Sequence, residues 1–329
     1  MITVLKSGLL TTVQDLGRIG YQRDGVVVAG AVDGFAARVA NMLVGNPDNA
    51  ALLELALIGP ELRFKEEALL SWCGGEFEAR IDGQALPKDR PVRVPAGATV
   101  NFGPARKGAM AWLAVAGGFD VPVLLGSRST LRRAHFGGHE GRGLIPGDRL
   151  GLLPPSERAT ALLAALRGAG RLATGWCVKS TALGHPAEPG VLRFIRGPEW
   201  DWFTRETHHL LETAEYTVTK DADRMGLRLD GPPLRLAAAR ELLSSAVNTG
   251  VVQVPPSGLP IVLSAARQTV GGYPRIAVVA AVDFSAIAQL RPGETVRFRE
   301  IPLARAHELY IGREQDLNRV RTGLARLSG

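Results

Sequence analysis

The segment Arg267-Gln268-Thr269-Val270-Gly271-Gly272-Tyr273-Pro274 sets a guanidinium, a carboxamide, a hydroxyl and a phenol around two adjacent glycines. Donors and acceptors of several kinds can converge there, while the glycines let backbone approach a ligand closely. Arg267, Gln268, Thr269 and Tyr273 are therefore the candidate catalytic or substrate-wall residues, with Gln253, Gly271 and Gly272 as binding positions beside them. A structural loop is the competing reading, because turn chemistry alone also selects Gly and Pro.

A second concentration of polar groups, Gln14, Asp15, Arg18, Tyr21 and Gln22, surrounds Gly17, Gly20 and Gly25. Asp15 and Arg18 read either as ligand contacts or as an ion pair that pins the loop. Ser127, Arg128, Ser129 and Thr130 form a cluster suited to a carboxylate or phosphate, since arginine presents a planar donor fork to either anion; a capped turn is the alternative. Arg142, in another glycine-rich stretch, is a second anion candidate. His135 and His139 flank Gly137-Gly138 beside Glu140, but no third ligand stands at a recognised spacing, so no metal is assigned.

The elements that must position these groups read mostly as β-structure. VVQVP and PIVLSA are short strand patterns broken by Pro-Pro-Ser-Gly, hence a hairpin, and strand character resumes in RIAVVAAVDF. The 39 glycines and 21 prolines punctuate short apolar runs, a spacing of barrels or sandwiches rather than of βαβ units. VPAGATVNF, IPGDRLGL and RPGETVRF repeat one device, a Pro/Gly turn ahead of an alternating strand, and hint at two similar modules. Helices are few: Asp33 caps GFAARVANMLV, Ser156 precedes ERATALLAALRG, and the tail from Leu303 to Leu327 reads as an amphipathic helix interrupted at Gly312 and Gly323. The expected organisation is an N-terminal module over 1–155, a connecting segment over 156–190 and a C-terminal module over 191–329.

Composition removes several function classes. With 329 residues, 46% of them hydrophobic and 22% charged, the chain is long enough for about two ordinary domains and is not of disordered type. No apolar run reaches the roughly 18 residues of a membrane span, and MITVLKSGLL lacks signal-peptide organisation, so a cytoplasmic protein is expected. The net charge of +7 is spread over scattered arginines without a stacking-aromatic stripe, which argues against nucleic acid and is compatible with an acidic substrate or partner. Cys73 and Cys177, far apart, read as buried free thiols. There is no phosphate-loop motif, and no methionine precedes a lysine, so this chain has no Met-Lys-Met site for covalent biotin.

QVPPSGLPIVL followed by RQTVGGYPRIAVVAAVD resembles the signature of a family that holds the C subunit of bacterial 5-oxoprolinase, the second subunit of allophanate hydrolase and part of urea carboxylase. TTVQDLGRIGYQRDGVVVAGAVD, LELALIGPELRF, LGSRST, GGHEGRGLIPGD, GPEWDWF and DRMGLRLDG follow the family's order. The resemblance implies two tandem cyclophilin-like β-barrels. It also implies a biotin-dependent carboxyltransferase-type family, partnership with a subunit-B-like protein and a separate lactam-hydrolase subunit, and ATP bound or completed by a partner. The implied reaction is ATP-dependent opening of a small cyclic amide such as 5-oxoproline. The alternatives are carboxyl transfer to a urea-like amide, or a non-catalytic partner resembling the antagonist of a sporulation-kinase inhibitor. The chain departs from the family pattern where Ser245 replaces a Glu, Leu259 a polar residue, Ala266 an Asp and Val270 a Thr, so two carboxylates are missing near the candidate loop.

Overall fold

The computed structural model describes residues 1–327. It is mainly β, in two barrel-like modules with helices at their margins, as the turn spacing anticipates. The chain divides into two compact units: Met1–Arg18, Ala29–Leu183 and Gln315–Gly329 form one, and Ile19–Val28 with Gly184–Glu314 form the other.

The first unit is a ten-stranded sheet dominated by two long antiparallel strands, Ala68–Ile81 and Thr99–Val115. Their inward side chains alternate, and Trp72 meets Phe102 edge-on at 5.4 Å within a core that includes Leu53, Leu55, Leu70 and Leu113. The strand Leu10–Gln14 pairs with Leu52–Ala56 and brings the 14–18 segment to the sheet's end. The helix Gly34–Leu43 starts where Asp33 Oδ1 accepts from the backbone N–H groups of Phe35 and Ala36, both at 3.0 Å, and it buries Val39, Met42 and Leu43.

The second unit is a closed seven-stranded barrel. Its strands run in the order Val191–Arg196, Arg275–Val279, Val251–Gln253, Ile261–Leu263, Gly226–Asp230, Tyr216–Val218 and Thr295–Glu300, the last returning parallel to the first. Phe194, Tyr216 and Phe298 form the aromatic centre of its core. The expected hairpin is present: Val252 faces Val262 and Gln253 faces Ile261, with Gly258 N–H donating to Pro255 O across the turn.

The repeated Pro/Gly device is one turn used three times. Ala98 N–H donates to Pro95 O, Asp148 to Ile145 and Glu294 to Arg291, with Gly97, Gly147 and Gly293 at φ 82°, 95° and 88° in the third position. That is the type II arrangement, in which positive φ at this place favours glycine.

Two sequence expectations are corrected. The C-terminal helix runs unbroken from Leu303 to Arg326, through both Gly312 and Gly323. An interior glycine costs only about 1 kcal/mol relative to alanine, which burial of Leu309, Leu317 and Leu324 along one stripe offsets. At Gly312 a β-carbon would lie 2.4 Å from His185 Nε2, so close approach explains that glycine. Of the two thiols only Cys73 is buried; Cys177 is exposed, and both are free. Among the described residues no helix is long and apolar enough to cross a membrane.

Candidate functional site

In the second unit the candidate loop is held at both ends by the barrel. Ser264 and Ala266 donate to Met225 O and Arg224 O, prolonging the strand Ile261–Leu263, and Val254 N–H donates to Pro274 O where the loop returns. Between these anchors Val270–Gly271 pairs with Ser245–Ala246 as a two-stranded flap, and Val247 N–H donates to Thr269 O.

Arg267 is the buried centre of this arrangement, 5% exposed. Its Nε donates to Val247 O at 3.2 Å, Nη1 to Thr249 Oγ1 at 3.0 Å, and Nη2 to Gln22 Oε1 and Asn248 Oδ1, both at 3.4 Å. Every one of these acceptors is neutral. Burial accordingly holds the Arg267 pKa below the ordinary guanidinium value. Arg224, whose carbonyl receives Ala266 N–H, is likewise pushed down by burial, to about 10.

Carboxamides line the rest. Gln268 Nε2 donates to Gln253 Oε1 at 3.3 Å, and Gln253 Nε2 donates to Tyr273 O at 3.4 Å. A β-carbon on Gly271 would lie 2.5 Å from Gln253 Nε2, so that glycine is what lets the flap close on the amide. Gln22 Nε2 donates to Val247 O at 2.8 Å and to Thr269 O at 3.3 Å, which ties Gln22 to the same loop. The Tyr273 ring and the Val270 side chain are exposed at the loop's surface. The Ser245 hydroxyl, opposite Gly271 in the flap, is buried without a hydrogen-bond partner among the described residues.

The first unit assembles the other polar cluster around Asp15. The 127–130 segment lies along the strand Leu10–Gln14 because Thr130 N–H and Oγ1 both donate to Val13 O at 2.9 Å. Asp15 then accepts from Gly17 N–H at 2.8 Å, Ser127 Oγ at 2.7 Å, Arg128 N–H at 2.6 Å and Ser129 Oγ at 2.5 Å. Of the two readings of Asp15 and Arg18, ligand contacts or an ion pair that pins the loop, these contacts remove the direct ion pair: four neutral donors take the carboxylate, and Arg18 Nη2 donates instead to Ser129 O. Gln14 is buried, with Nε2 on Thr12 Oγ1 and Thr130 O. Arg128 Nε donates to Val121 O at 3.2 Å.

Arg142 is not the open anion contact that its glycine-rich setting suggested. Nη1 and Nη2 meet Asp148 at 2.7 and 2.8 Å, and Nη2 also reaches Glu140 at 2.5 Å. The hydrogen bonds from Arg142 hold the Asp148 carboxyl down at about 2. His139 Nε2 lies 3.5 Å from the same carboxylate, a structural contact rather than one position of a metal set. No group of His, Cys, Asp and Glu suited to a metal ion occurs among the described residues.

The structure thus separates the predicted residues into two sets. Gln253, Arg267, Gln268, Thr269, Gly271, Gly272 and Tyr273 lie together on one loop system in the second unit, while Gln14, Asp15, Arg18, Arg128 and Ser129 form a network in the first. Asn248 and Thr249, which receive the Arg267 guanidinium, were not anticipated. Their only sequence signal is an Asn-Thr-Gly run just before the strand Val251–Gln253.

Residues 24–300 match the family model described as carboxyltransferase domain, subdomain A and B. The C subunit of 5-oxoprolinase from Haemophilus influenzae is 36% identical over 98% of this chain and 98% of its own. Its namesake from Escherichia coli is 36% identical over 93% of each.

The chain belongs to the carboxyltransferase-domain family.

Another family relative, the urea amidolyase of Saccharomyces cerevisiae, is 28% identical over 96% of this chain, but the match spans only 17% of that protein. The crystal structure of the K. lactis urea amidolyase superposes with a TM-score of 0.84 at 27% identity, covering 97% of this chain and 20% of that one. In those two enzymes the carboxyltransferase-domain fold therefore makes up a fifth or less of a much longer chain.

Proposed function

We propose that this chain is the C subunit of a 5-oxoprolinase-type enzyme, a cytoplasmic assembly that opens a small cyclic amide with ATP. The observation that carries the reading is the end-to-end match at 36% identity to proteins named for that role. The loop around Arg267 supplies chemistry that suits it. A lactam presents one carbonyl and one N–H side by side, and the half-buried Gln268 carboxamide, positioned by its hydrogen bond to the buried Gln253, carries groups of both kinds.

Phosphorylation of the lactam oxygen by ATP, with release of ADP, would activate the ring carbon; one water would add there and the ring C–N bond open with nitrogen leaving as the amine, and a second water would hydrolyse the resulting acyl phosphate to the carboxylate and inorganic phosphate. This chain's part is to bind and orient the ring. Arg267 fixes residues 247–249 and Gln22 about the loop, Gln268 and Thr269 face the substrate, and Tyr273 covers it. The chain carries no phosphate-loop motif, which supports an ATP site bound or completed by a subunit-B-like partner and a lactam-hydrolase subunit.

Reconstitution tests this. The chain mixed with its subunit-B-like and lactam-hydrolase partners should release glutamate from 5-oxoproline only when ATP is present, and the chain alone should release none. Turnover by the single purified chain, or carboxylation of urea in place of ring opening by the assembly, would overturn the proposal.

A further inference from the structure

Two consecutive carbonyls at the flap are held by two different arginines. Arg267 Nε donates to Val247 O at 3.2 Å, and Arg275 Nη1 donates to Ala246 O at 3.1 Å. The two guanidinium groups are anchored differently. Arg267 meets neutral acceptors only, whereas Arg275 is gripped as a fork, Nε on Glu199 Oε2 at 2.8 Å and Nη2 on Glu199 Oε1 at 2.6 Å. The Arg275 backbone N–H adds a third bond to Glu199 Oε2 at 2.9 Å. A bidentate, charge-assisted pair of this kind fixes the plane of the guanidinium, and both side chains are largely buried, 16% and 7% exposed.

Glu199 belongs to the GPEWDWF segment, and its surroundings explain the spacing. Gly197 N–H donates to Ile276 O, and a β-carbon on Gly197 would lie 2.1 Å from Arg275 O, so glycine lets the turn lie directly on the strand Arg275–Val279. Trp200 then enters the barrel core, while Glu199 turns to the arginine that follows the candidate loop. A pair serving the barrel alone would end at Arg275. This one continues through Nη1 to Ala246, which pairs with Val270 in the flap.

We infer that Glu199 is a positioning residue for the candidate site: through the Arg275 guanidinium it fixes the flap strand Ser245–Ala246, and with it the wall that Gln268 and Thr269 present to substrate. The inference rests on the reading of that loop as the 5-oxoproline site. A flap ordered before substrate arrives spares the ordering cost at binding, so loss of the clamp falls on substrate affinity rather than on the chemical step.

The test is Arg275→Lys in the full chain, with amide hydrogen exchange on the chain and kinetics on the reconstituted assembly. Lysine keeps a positive charge against Glu199 but, as a point charge without the fork, does not hold Glu199 and Ala246 O together. Exchange of Val247 N–H, which donates to Thr269 O, should speed by about tenfold while Leu229 N–H, on Pro260 O in the barrel, is unchanged. KM for 5-oxoproline should rise about tenfold with kcat within about twofold of the wild type. Unchanged Val247 exchange, equal acceleration of both amides as a merely structural role would give, or an unchanged KM overturns the inference. A wild-type assembly that leaves 5-oxoproline intact fails the functional reading instead, and the two exchange rates then decide the clamp by themselves. If Arg275→Lys does not fold, Glu199→Asp, which keeps the charge but sets the carboxylate one methylene short of the fork, is read by the same two measurements.

Discussion

Asp148 receives Arg142 through both carboxylate oxygens, Nη1 on Oδ2 at 2.7 Å and Nη2 on Oδ1 at 2.8 Å, and Ile145 N–H adds a third contact at 2.8 Å. The pair clamps the Pro146-Gly147 turn, whose Asp148 O and Gly147 N–H bond to Val4. Its role is architectural, and it has a pH signature. A carboxyl held at about 2 in the fold, against about 3.9 in the unfolded chain, stabilises the native state above pH 4. That contribution, about 3 kcal/mol at most, is lost as pH falls from about 4 to about 2. Denaturant midpoints measured across this window should fall for the wild type, and Asp148→Asn should remove that part of the pH dependence while lowering neutral-pH stability. Arg142→Ala should likewise weaken the fold and leave the assembled enzyme's kcat/KM per folded molecule unchanged.

Arg267 is bound to four neutral acceptors in a buried site, so its removal should act on fold and activity together. Arg267→Ala is expected to cost about 2–4 kcal/mol of stability, through orphaned acceptors and an unfilled volume. Tyr273→Phe is different, because the ring is exposed. It should leave the Tm within about a degree while lowering kcat/KM of the reconstituted complex by roughly tenfold, as loss of one substrate hydrogen bond would. Melting curves paired with kinetics on both variants check this, and full activity in Tyr273→Phe removes that residue from the substrate wall.

The Ser245 hydroxyl is buried without a partner among the described residues, facing Gly271 across the flap. Ser245→Ala should therefore be neutral or stabilising by up to about 1 kcal/mol, since it deletes an unsatisfied polar atom. A loss of more than that in urea denaturation would show that the hydroxyl is bonded in solution.

Cys73 lies in the first unit's core, and burial, reinforced by Asp89, pushes its pKa well above the ordinary thiol value. Cys177 is exposed. Native protein should react with one equivalent of a thiol reagent, and unfolded protein with two; Cys177→Ser should abolish the native reaction.

Much of the fold was legible because local rules act on neighbours in sequence. The Pro/Gly turns at Gly97, Gly147 and Gly293, the Asp33 cap and the hairpin of Val251–Gln253 with Ile261–Leu263 each depend on a few consecutive residues whose backbone preferences are strong. The candidate loop was likewise visible as a run of polar groups around Gly271-Gly272. What the sequence could not decide was which partner each charge takes. Asp15 and Arg18, three residues apart, read either as ligand contacts or as an ion pair, yet Asp15 turns to Ser127, Arg128 and Ser129 more than a hundred residues away. Arg142 read as an open anion contact and is occupied by Asp148. Gln22 reaches Arg267 across 245 positions. Hydrogen-bond partners follow from distances of about 3 Å, and only the folded sheet of the first unit and the closed barrel of the second bring such remote segments that near.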